Sequence, residues 1–342
     1  MRTNYATRCA RLAPLALLLA CGREPAPRPT EPSVALAADR IRFDDAQWST
    51  PVNLGAPINS AVADLQPVLS PDELSLYFAS DRAGGQGGRD IWVSRRPCAD
   101  WDDPECAWQE PANLGPRINS SAFESCNELS YDGHLLFFCS DRPGGFGPAD
   151  IYVSRRANRN DDGGWGAPVN IGSPVNSELS EAGSAYVGRT QGGPANLYFA
   201  RADPALGENG FDIYTAKVTR RGMALGPVEP VAELNYPGFS DNSPTVSSDG
   251  RELILSSTRP GGIPRPPGTN PFQDSDLWIS TRSNMGDRWT APVPMGAPVN
   301  SQRADITPHF SRDGRTLVFA SNRPGGRGGQ DIWVTRRTRR GN

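Results

Sequence analysis

Residues 76–82 read Leu-Tyr-Phe-Ala-Ser-Asp-Arg and residues 90–93 read Asp-Ile-Trp-Val, and the chain returns to this segment along its length. Each copy also carries a phrase like Trp-x-x-Pro-Val-Asn-Leu-Gly and an Asn-Ser pair or its equivalent. A segment that recurs at a fixed period indicates a repeat architecture, and the period here is about 60 residues. The copies begin near Trp48, Trp108, Trp165, Leu225 and Trp289.

Each copy predicts four short strands separated by turns, with no apolar period of helical length. In several copies the first turn is Asp-Gly, as at Asp132-Gly133, which is a hairpin signal because glycine tolerates positive φ. Four-stranded units repeated around an axis form a β-propeller, which leaves few exposed strand edges. In the first copy the predicted strands are Asp64 to Ser70, Leu74 to Ser80, Asp90 to Arg95 and Trp108 to Leu114.

The two ends of the chain predict how the propeller closes. The phrase from Trp48 to Gly55 precedes the first complete copy, whereas the last copy stops after Asp331 to Arg337 without such a phrase. We therefore expect the N-terminal strand to complete the last blade. This count gives an all-β fold of five blades over residues 43–338, followed by a basic tail at residues 339–342.

These residues resemble the WD40-like β-propeller repeats of bacterial envelope proteins, including the TolB-like propellers. The matching words are those of residues 76–82 and 90–93, and again Leu317 to Arg323 with Asp331 to Val334. The resemblance covers nearly all of the chain after its first 42 residues. It implies a propeller that serves as a binding platform or, in fewer cases, as an enzyme. The chain lacks the extra N-terminal domain of TolB, so a role in the Tol system does not transfer.

The N-terminus is typical of a targeting segment. Residues 1–20 combine Arg2, Arg8 and Arg11 with a short apolar run, and the sequence Leu-Leu-Ala-Cys at residues 18–21 resembles a bacterial lipobox. That resemblance implies a lipid on Cys21 and, because Gly22 follows, an outer-membrane location in the cell envelope. The alternative is an ordinary signal peptide with a chance cysteine. Residues 21–42 then form a proline-rich tether, and no other stretch is apolar enough to span a bilayer.

The remaining cysteines fall into two local pairs, as expected in an oxidising compartment. Cys98 and Cys106 bracket a loop that a disulfide would close. Cys126 and Cys139 lie on the two arms of the hairpin at Asp132-Gly133. With a two-residue turn they face each other and predict a second disulfide, whereas with a three-residue bulged turn both are buried small residues.

The charge pattern argues against nucleic acid as a partner. The formal net charge is −3, and acidic residues are interspersed among the arginines, so no basic stripe emerges. The basic run at residues 336–340 is interpreted as a solvated terminus. We expect a monomer that meets the membrane only through its N-terminal lipid.

Five acidic residues, here called the ring carboxylates, open the first strand of each blade and are expected to surround one mouth of the central channel. Either they accept backbone N–H bonds or pair with arginines nearby, or they hold a hard cation such as Ca²⁺ through oxygen ligands. No other cofactor is indicated. The ring carboxylates are Asp64, Glu124, Glu181, Asp241 and Asp305.

The loops between the second and third strands lie on the same face. In most copies they begin with an arginine and end at an aspartate, as with Arg82 and Asp90, and these pairs predict ion pairs or turn caps. The third and fourth copies depart from the pattern at residues 202–211 and 263–274. Because functional sites concentrate on loops held by rigid scaffolds, these two loops are the candidate binding loops. Their candidate residues are Asp203, Glu208, Phe211, Arg265, Asn270 and Phe272.

The main functional hypothesis at this stage is a non-catalytic binding platform for an envelope protein, peptidoglycan or another glycan. One alternative is a glycan-active enzyme, which needs two carboxylates in distinct environments. The ring carboxylates look equivalent, which argues against assigning acid and base roles among them. His134 and His309 join no catalytic triad or metal-ligand spacing. The other alternative is a structural protein stabilised by a cation at the ring carboxylates.

Overall fold

A computed structural model of the chain describes residues 48–188, 193–207, 210–266 and 275–337. Within these residues the secondary structure consists of strands and two short 3-10 turns, Pro104–Cys106 and Pro204–Leu206. In chain order the strands are β1 (Val52–Asn53), β2 (Asp64–Leu69), β3 (Ser75–Ser80), β4 (Asp90–Arg95), β5 (Ala112–Asn113), β6 (Glu124–Leu129), β7 (Leu135–Ser140), β8 (Asp150–Arg155), β9 (Val169–Asn170), β10 (Glu181–Val187), β11 (Ala195–Ala202), β12 (Phe211–Val218), β13 (Ala224–Pro230), β14 (Asp241–Val246), β15 (Glu252–Ser257), β16 (Asp276–Thr281), β17 (Val293–Pro294), β18 (Asp305–Phe310), β19 (Thr316–Ser321) and β20 (Asp331–Arg336).

The strands form five antiparallel sheets of four strands, which confirms the predicted five-bladed propeller. Blades 1 to 4 are β2–β5, β6–β9, β10–β13 and β14–β17. Blade 5 consists of β18–β20 and the N-terminal strand β1, whose Val52 lies opposite Val334. The propeller therefore closes as expected. The N-terminal strand β1 pairs with β20 and so supplies the outer strand that the last blade would otherwise lack.

The outer strands have only two residues in blades 1, 2, 4 and 5, whereas β13 of blade 3 has seven. The expected strand from Trp108 to Leu114 is reduced to the two residues of β5. Proline donates no backbone hydrogen bond, so Pro111 ends the regular ladder just before Ala112. Gln109 still donates its N–H to the carbonyl of Arg95, at 2.8 Å, which keeps the preceding segment against the sheet.

Every innermost strand contains a β-bulge near the channel. At the bulge Gln66, Cys126, Ser243 and Thr307 adopt positive φ, and the third blade has Gly183 there. The inner strands converge closely at this level: a Cβ on Gly183 would lie 2.7 Å from the Cα of Ser243. The bulge therefore fits a crowded axis.

The bulge also corrects the predicted second disulfide. Near the hairpin turn the register would place Cys126 opposite Cys139, but the bulge shifts it, and Cys139 pairs with Ser125 instead. Cys126 and Cys139 are free, buried thiols that contact each other by a side-chain hydrogen bond. Cys98 and Cys106 do form a disulfide.

Adjacent blades are joined by apolar layers and by an asparagine clip. Between blades 1 and 2, Tyr77 and Ile91 pack with Phe138 in one buried cluster. Above this layer Asn119 accepts the N–H of Ile91 and donates to its carbonyl, at 2.9 and 3.0 Å. Asn59, Asn176, Asn235 and Asn300 bridge the other seams in the same way. The Asn of each Asn-Ser pair thus holds neighbouring blades in register.

Residues 1–47 and 338–342 lie outside the described residues. The signal peptide, the lipid on Cys21, the tether and the basic tail therefore stay predictions. Within the described ranges no helix is long and apolar enough to cross a membrane.

Candidate functional site

The ring carboxylates lie at the same end of the propeller, but each is fully buried inside its own blade. Asp64 shows the pattern. One of its oxygens accepts the N–H and the hydroxyl of Ser60, at 2.6 and 2.8 Å. The other accepts the hydroxyl of Ser80 at 2.6 Å and a guanidinium N–H of Arg82 at 2.7 Å. A carboxylate with both oxygens occupied in this way has no accessible lone pair to offer a ligand.

The arginines at the start of the loops between the second and third strands pair with the ring carboxylates of their own blades. Arg82 binds Asp64 and not Asp90, so the predicted ion pair does not form, and Asp90 fulfils the alternative prediction of a turn cap. In blade 3, where that loop has changed, the arginine lies near the end of β11: Arg201 binds Glu181 at a distance of 2.8 Å. Burial raises the pKa of Glu181 and Asp241, and their arginines oppose that rise. The remaining pairs are Arg142–Glu124, Arg259–Asp241 and Arg323–Asp305.

The described residues offer no cation site at these carboxylates. The one group of three His, Cys, Asp or Glu ligands within 4.8 Å of one another, among the residues described, is Cys98, Asp103 and Cys106. Its two sulfurs are joined to each other, so they are not available as thiolate ligands.

The central channel is too narrow for a sugar. At the level of the bulges it encloses a cavity of about 30 Å³, walled by the five inner strands. His309 and Glu128 meet across this cavity at 3.5 Å, with both side chains nearly buried. A space of this size accommodates a water molecule or two, so the pair connects blades 2 and 5 without reaching a polymeric ligand.

The aspartates that open the third strands cap the loops between the second and third strands. Asp90 accepts the N–H of Gln86 and the side-chain amide of Asn113, the latter at 2.9 Å. Asp150 and Asp331 make the same two kinds of contact in blades 2 and 5. In blade 4 Arg265 takes the place of the asparagine, at 3.1 Å from Asp276.

Blade 3 breaks this pattern at Asp212. The short turn has been replaced by an extended hairpin, and Pro230 lies where blade 2 has Asn170. The carboxyl group of Asp212 consequently makes no hydrogen bond or ion pair to any residue that the structure describes. Burial raises its pKa to about 6, with further contributions from the negative charges of Asp203 and Asp241. This is a carboxyl group that is readily protonated in mildly acidic solution.

Asp203 lies beside Asp212 on the same face of the hairpin. Arg201 is directly opposite Asp212, so Asp203, two residues further on, is its diagonal neighbour across the strands. Such positions are about 7–8 Å apart. Asp203 caps the 3-10 turn by accepting the N–H of Ala205 at 2.9 Å, whereas the carboxyl group of Asp212 has no such donor. The two carboxyl groups thus have different environments.

Two aromatic side chains lie in the neighbouring loop between blades 3 and 4. The loop before β14 carries one residue more than its counterparts and contains Tyr236, 43% exposed, in edge contact with Phe239 at 5.5 Å. The loop is tied to the start of β12, because Ser240 accepts the N–H of Phe211 at 3.1 Å. We define Asp203, Asp212, Tyr236 and Phe239 as the blade 3–4 site.

The blade 3–4 site includes part of what the sequence predicts. Asp203 belongs to it, and Phe211 connects it to the neighbouring loop. Arg265 is engaged instead with Asp276 and with the carbonyls of Ser275 and Arg303. Glu208, Asn270 and Phe272 lie outside the described residues.

The sequence analysis did not single out Asp212, because an aspartate at this position is part of the repeat. The signal that identifies it is the loss of its partners, which shows in sequence only as a proline in the outer strand and as an altered turn. Tyr236 and Phe239 carried a visible signal, since they lie in the one loop that is a residue longer.

Comparison with known proteins places the fold among propellers of known structure. No family model and no curated protein matches the chain. An α-L-arabinofuranosidase from Lactobacillus brevis is similar with a TM-score of 0.55 and 14% identity, covering 82% of this chain and 92% of that one. The α-L-arabinofuranosidase PaAbf62A from Podospora anserina gives a TM-score of 0.52 and 10% identity, covering 86% and 98%. A protein from Agrobacterium tumefaciens described as TolB gives a TM-score of 0.45 and 15% identity, covering 81% of this chain and 91% of that one.

Identities this low show a shared fold. The comparison nevertheless contradicts the expectation of a non-catalytic envelope platform, because the similar structures are mainly glycoside hydrolases. We therefore abandon that expectation.

Proposed function

We propose that this chain is a glycoside hydrolase that removes arabinose- or xylose-type side groups from a polysaccharide, with the blade 3–4 site as its active site. The observation that carries the proposal is the pair Asp203 and Asp212, two neighbouring carboxyl groups in different environments. The fold shared with α-L-arabinofuranosidases supports the class of substrate.

The chemistry assigns one role to each carboxyl group. Protonated Asp212 donates its proton to the glycosidic oxygen as the bond from that oxygen to the anomeric carbon breaks. Ionised Asp203 accepts a proton from a water molecule as the water oxygen bonds to the anomeric carbon. An inverting enzyme needs its two carboxyl groups about 6.5–9.5 Å apart to leave room for that water, and diagonal strand positions about 7–8 Å apart allow Asp203 and Asp212 to meet this requirement.

The surroundings supply binding and the correct protonation state. Tyr236 is exposed enough to pack against a sugar ring, and Phe239 holds it from the side. The raised pKa of Asp212 keeps a useful fraction protonated near pH 6. Hydrolysis is expected to decline as the pH rises through 6.

The test uses the purified chain with aryl arabinofuranosides, aryl xylosides and arabinoxylan. Asp212→Asn is expected to reduce kcat on arabinoxylan by about 100-fold or more, the usual contribution of a general acid. The same variant should keep most of its activity on an aryl glycoside with a good leaving group, which needs no proton. NMR of the first product should show the inverted anomer.

A substitution at the exposed Asp287, which lies away from this face and bonds only within its own turn, serves as the control. Absence of hydrolysis across the panel would refute the proposal. Equal losses for Asp212→Asn on good and poor leaving groups would refute the role of Asp212 as the acid.

A further inference from the structure

A cavity lies on the opposite face of the propeller, at the first hairpin turns. Its volume is about 880 Å³, within the range of ligand sites. It is walled by the turns of blades 1, 4 and 5 and by the loop that the Cys98–Cys106 disulfide closes. It is thus separated from the blade 3–4 site by the full height of the blades.

The turn of blade 1 departs from the repeat inside this cavity. Gly133, Gly250 and Gly314 take the left-handed conformation at this turn in blades 2, 4 and 5, and blade 1 has Glu73 there, with φ 58°. A side chain in that conformation is strained, and strain of this kind clusters at binding sites. Burial raises the pKa of Glu73, which also lines the cavity.

Glu73 positions an aromatic side chain. Its carboxyl group accepts the indole N–H of Trp101 at 3.0 Å, and it lies 3.5 Å from Arg96. Trp101 comes from the disulfide-closed loop, is half-buried and lines the cavity. Two features that only blade 1 has, the strained glutamate and the disulfide-closed loop, therefore meet at one point.

Two of the four arginines that line the cavity are little engaged, whereas Arg336 and Arg337 pair with Asp102 and Glu252. Arg312 is exposed, and its guanidinium has no partner among the residues described. Arg315 has only a 3.6 Å contact with Asp313 of its own turn. By contrast, Asp313 and Asp72 each accept a serine hydroxyl and a backbone N–H in their own turns.

A smaller cavity of about 100 Å³ extends this charge pattern. It shares Arg312 and Asp72 with the larger cavity and adds Arg159, an exposed arginine that makes no hydrogen bond or ion pair within 4 Å in the described part of the chain, although its charge helps to lower the pKa of Asp72. Uncommitted guanidinium groups bind carboxylates, and an indole offers apolar surface to a sugar ring.

We propose that this cavity binds an oligosaccharide that carries uronic acid carboxylates, with Arg312 and Arg315 holding the carboxylates and Trp101 contacting a sugar ring. The site is independent of the proposed hydrolase activity. It would hold an acidic stretch of glycan while the opposite face remains open.

The test is isothermal titration calorimetry of the full chain with trigalacturonic acid, and with xylotriose as the neutral trisaccharide. The double substitution Arg312→Ala with Arg315→Ala is expected to weaken binding of trigalacturonic acid at least about 10-fold. The matched control is Arg220→Ala with Arg221→Ala, which removes the same charge from exposed arginines of the β12–β13 hairpin. Added salt should weaken binding to the wild-type chain.

Urea unfolding of each variant establishes that it is folded, and Trp101→Ala provides a second probe that leaves the charge unchanged. The proposal is overturned if trigalacturonic acid does not bind, if xylotriose binds equally well and is weakened by the same double substitution, or if the control weakens binding as much as the cavity variant does. Loss of binding in both cavity variants, with the control unaffected, supports it.

Discussion

Replacing Asp212 with Asn is expected to stabilise the protein in neutral solution, although the change removes a residue of the proposed active site. In the folded chain the pKa of Asp212 is raised from 3.8 to about 6. The folded state therefore binds the proton more tightly than the unfolded state. The contribution of this group to stability is complete below about pH 4 and is lost as the pH rises through 6.

The magnitude follows from the size of the shift. About two pKa units correspond to an upper limit of about 3 kcal/mol, at about 1.4 kcal/mol per unit. Asp212 is partly exposed, and screening by solvent reduces this figure to about 1 kcal/mol. Asn has no charge to desolvate, so we expect the free energy of unfolding to rise by about 1 kcal/mol at pH 8 and to change little at pH 4.

Urea titrations at pH 4, 6 and 8 measure this difference. The matched control is Asp150→Asn, the same position in blade 2, where the carboxylate accepts the N–H of Phe146 and the amide of Asn170. That variant is expected to lose about 2 kcal/mol at pH 8. If Asp212→Asn lowers stability at pH 8 as the control does, Asp212 has partners and the reasoning fails.

Three further predictions concern the framework. Arg142→Met leaves the buried Glu124 without its cation and should lower the free energy of unfolding by about 3 kcal/mol or more, measured in urea. A chelator should leave the thermal midpoint unchanged because the ring carboxylates already have partners, and a drop of several degrees would contradict this. Iodoacetamide should label Cys126 and Cys139 only above the unfolding midpoint, since their exposures are 7% and 1%, and peptide mass spectrometry reports the labelling.

The sequence predicts the architecture well because the repeat is a local signal. Turns and strand patterns recur in every blade, and the missing outer strand of the last copy indicates how the ring closes. The bulges of the inner strands carry no such signal. Positive φ at Gln66 or Thr307 results from crowding at the axis, which residues distant in sequence create together. The disulfide considered for Cys126 and Cys139 does not form for that reason, and the alternative of two buried small residues agrees with the structure.

The ion pairs were misassigned for a related reason. Arg82 is eight residues from Asp90 and eighteen from Asp64, so sequence proximity favours the wrong partner. In the sheet, Asp64 lies directly opposite Ser80, whose hydroxyl also receives an N–H from Arg82. Register across the strands, and not distance along the chain, selects the pair.

An aspartate at this position of the repeat therefore has opposite effects on stability in different blades. With two donors in reach, as at Asp90, a buried carboxylate caps a turn and stabilises it. When the turn is rebuilt and the asparagine becomes Pro230, the carboxylate keeps its position but loses the donors that favour its charge, and its pKa rises. Asp276 of blade 4, where Pro294 stands at the same outer-strand position, has a pKa that burial raises to about 6 as well, but its carboxyl group keeps Arg265 and the N–H of Ile263 as partners. A repeat protein can acquire an acid for catalysis in this way by deleting partners, without adding any new ionisable residue.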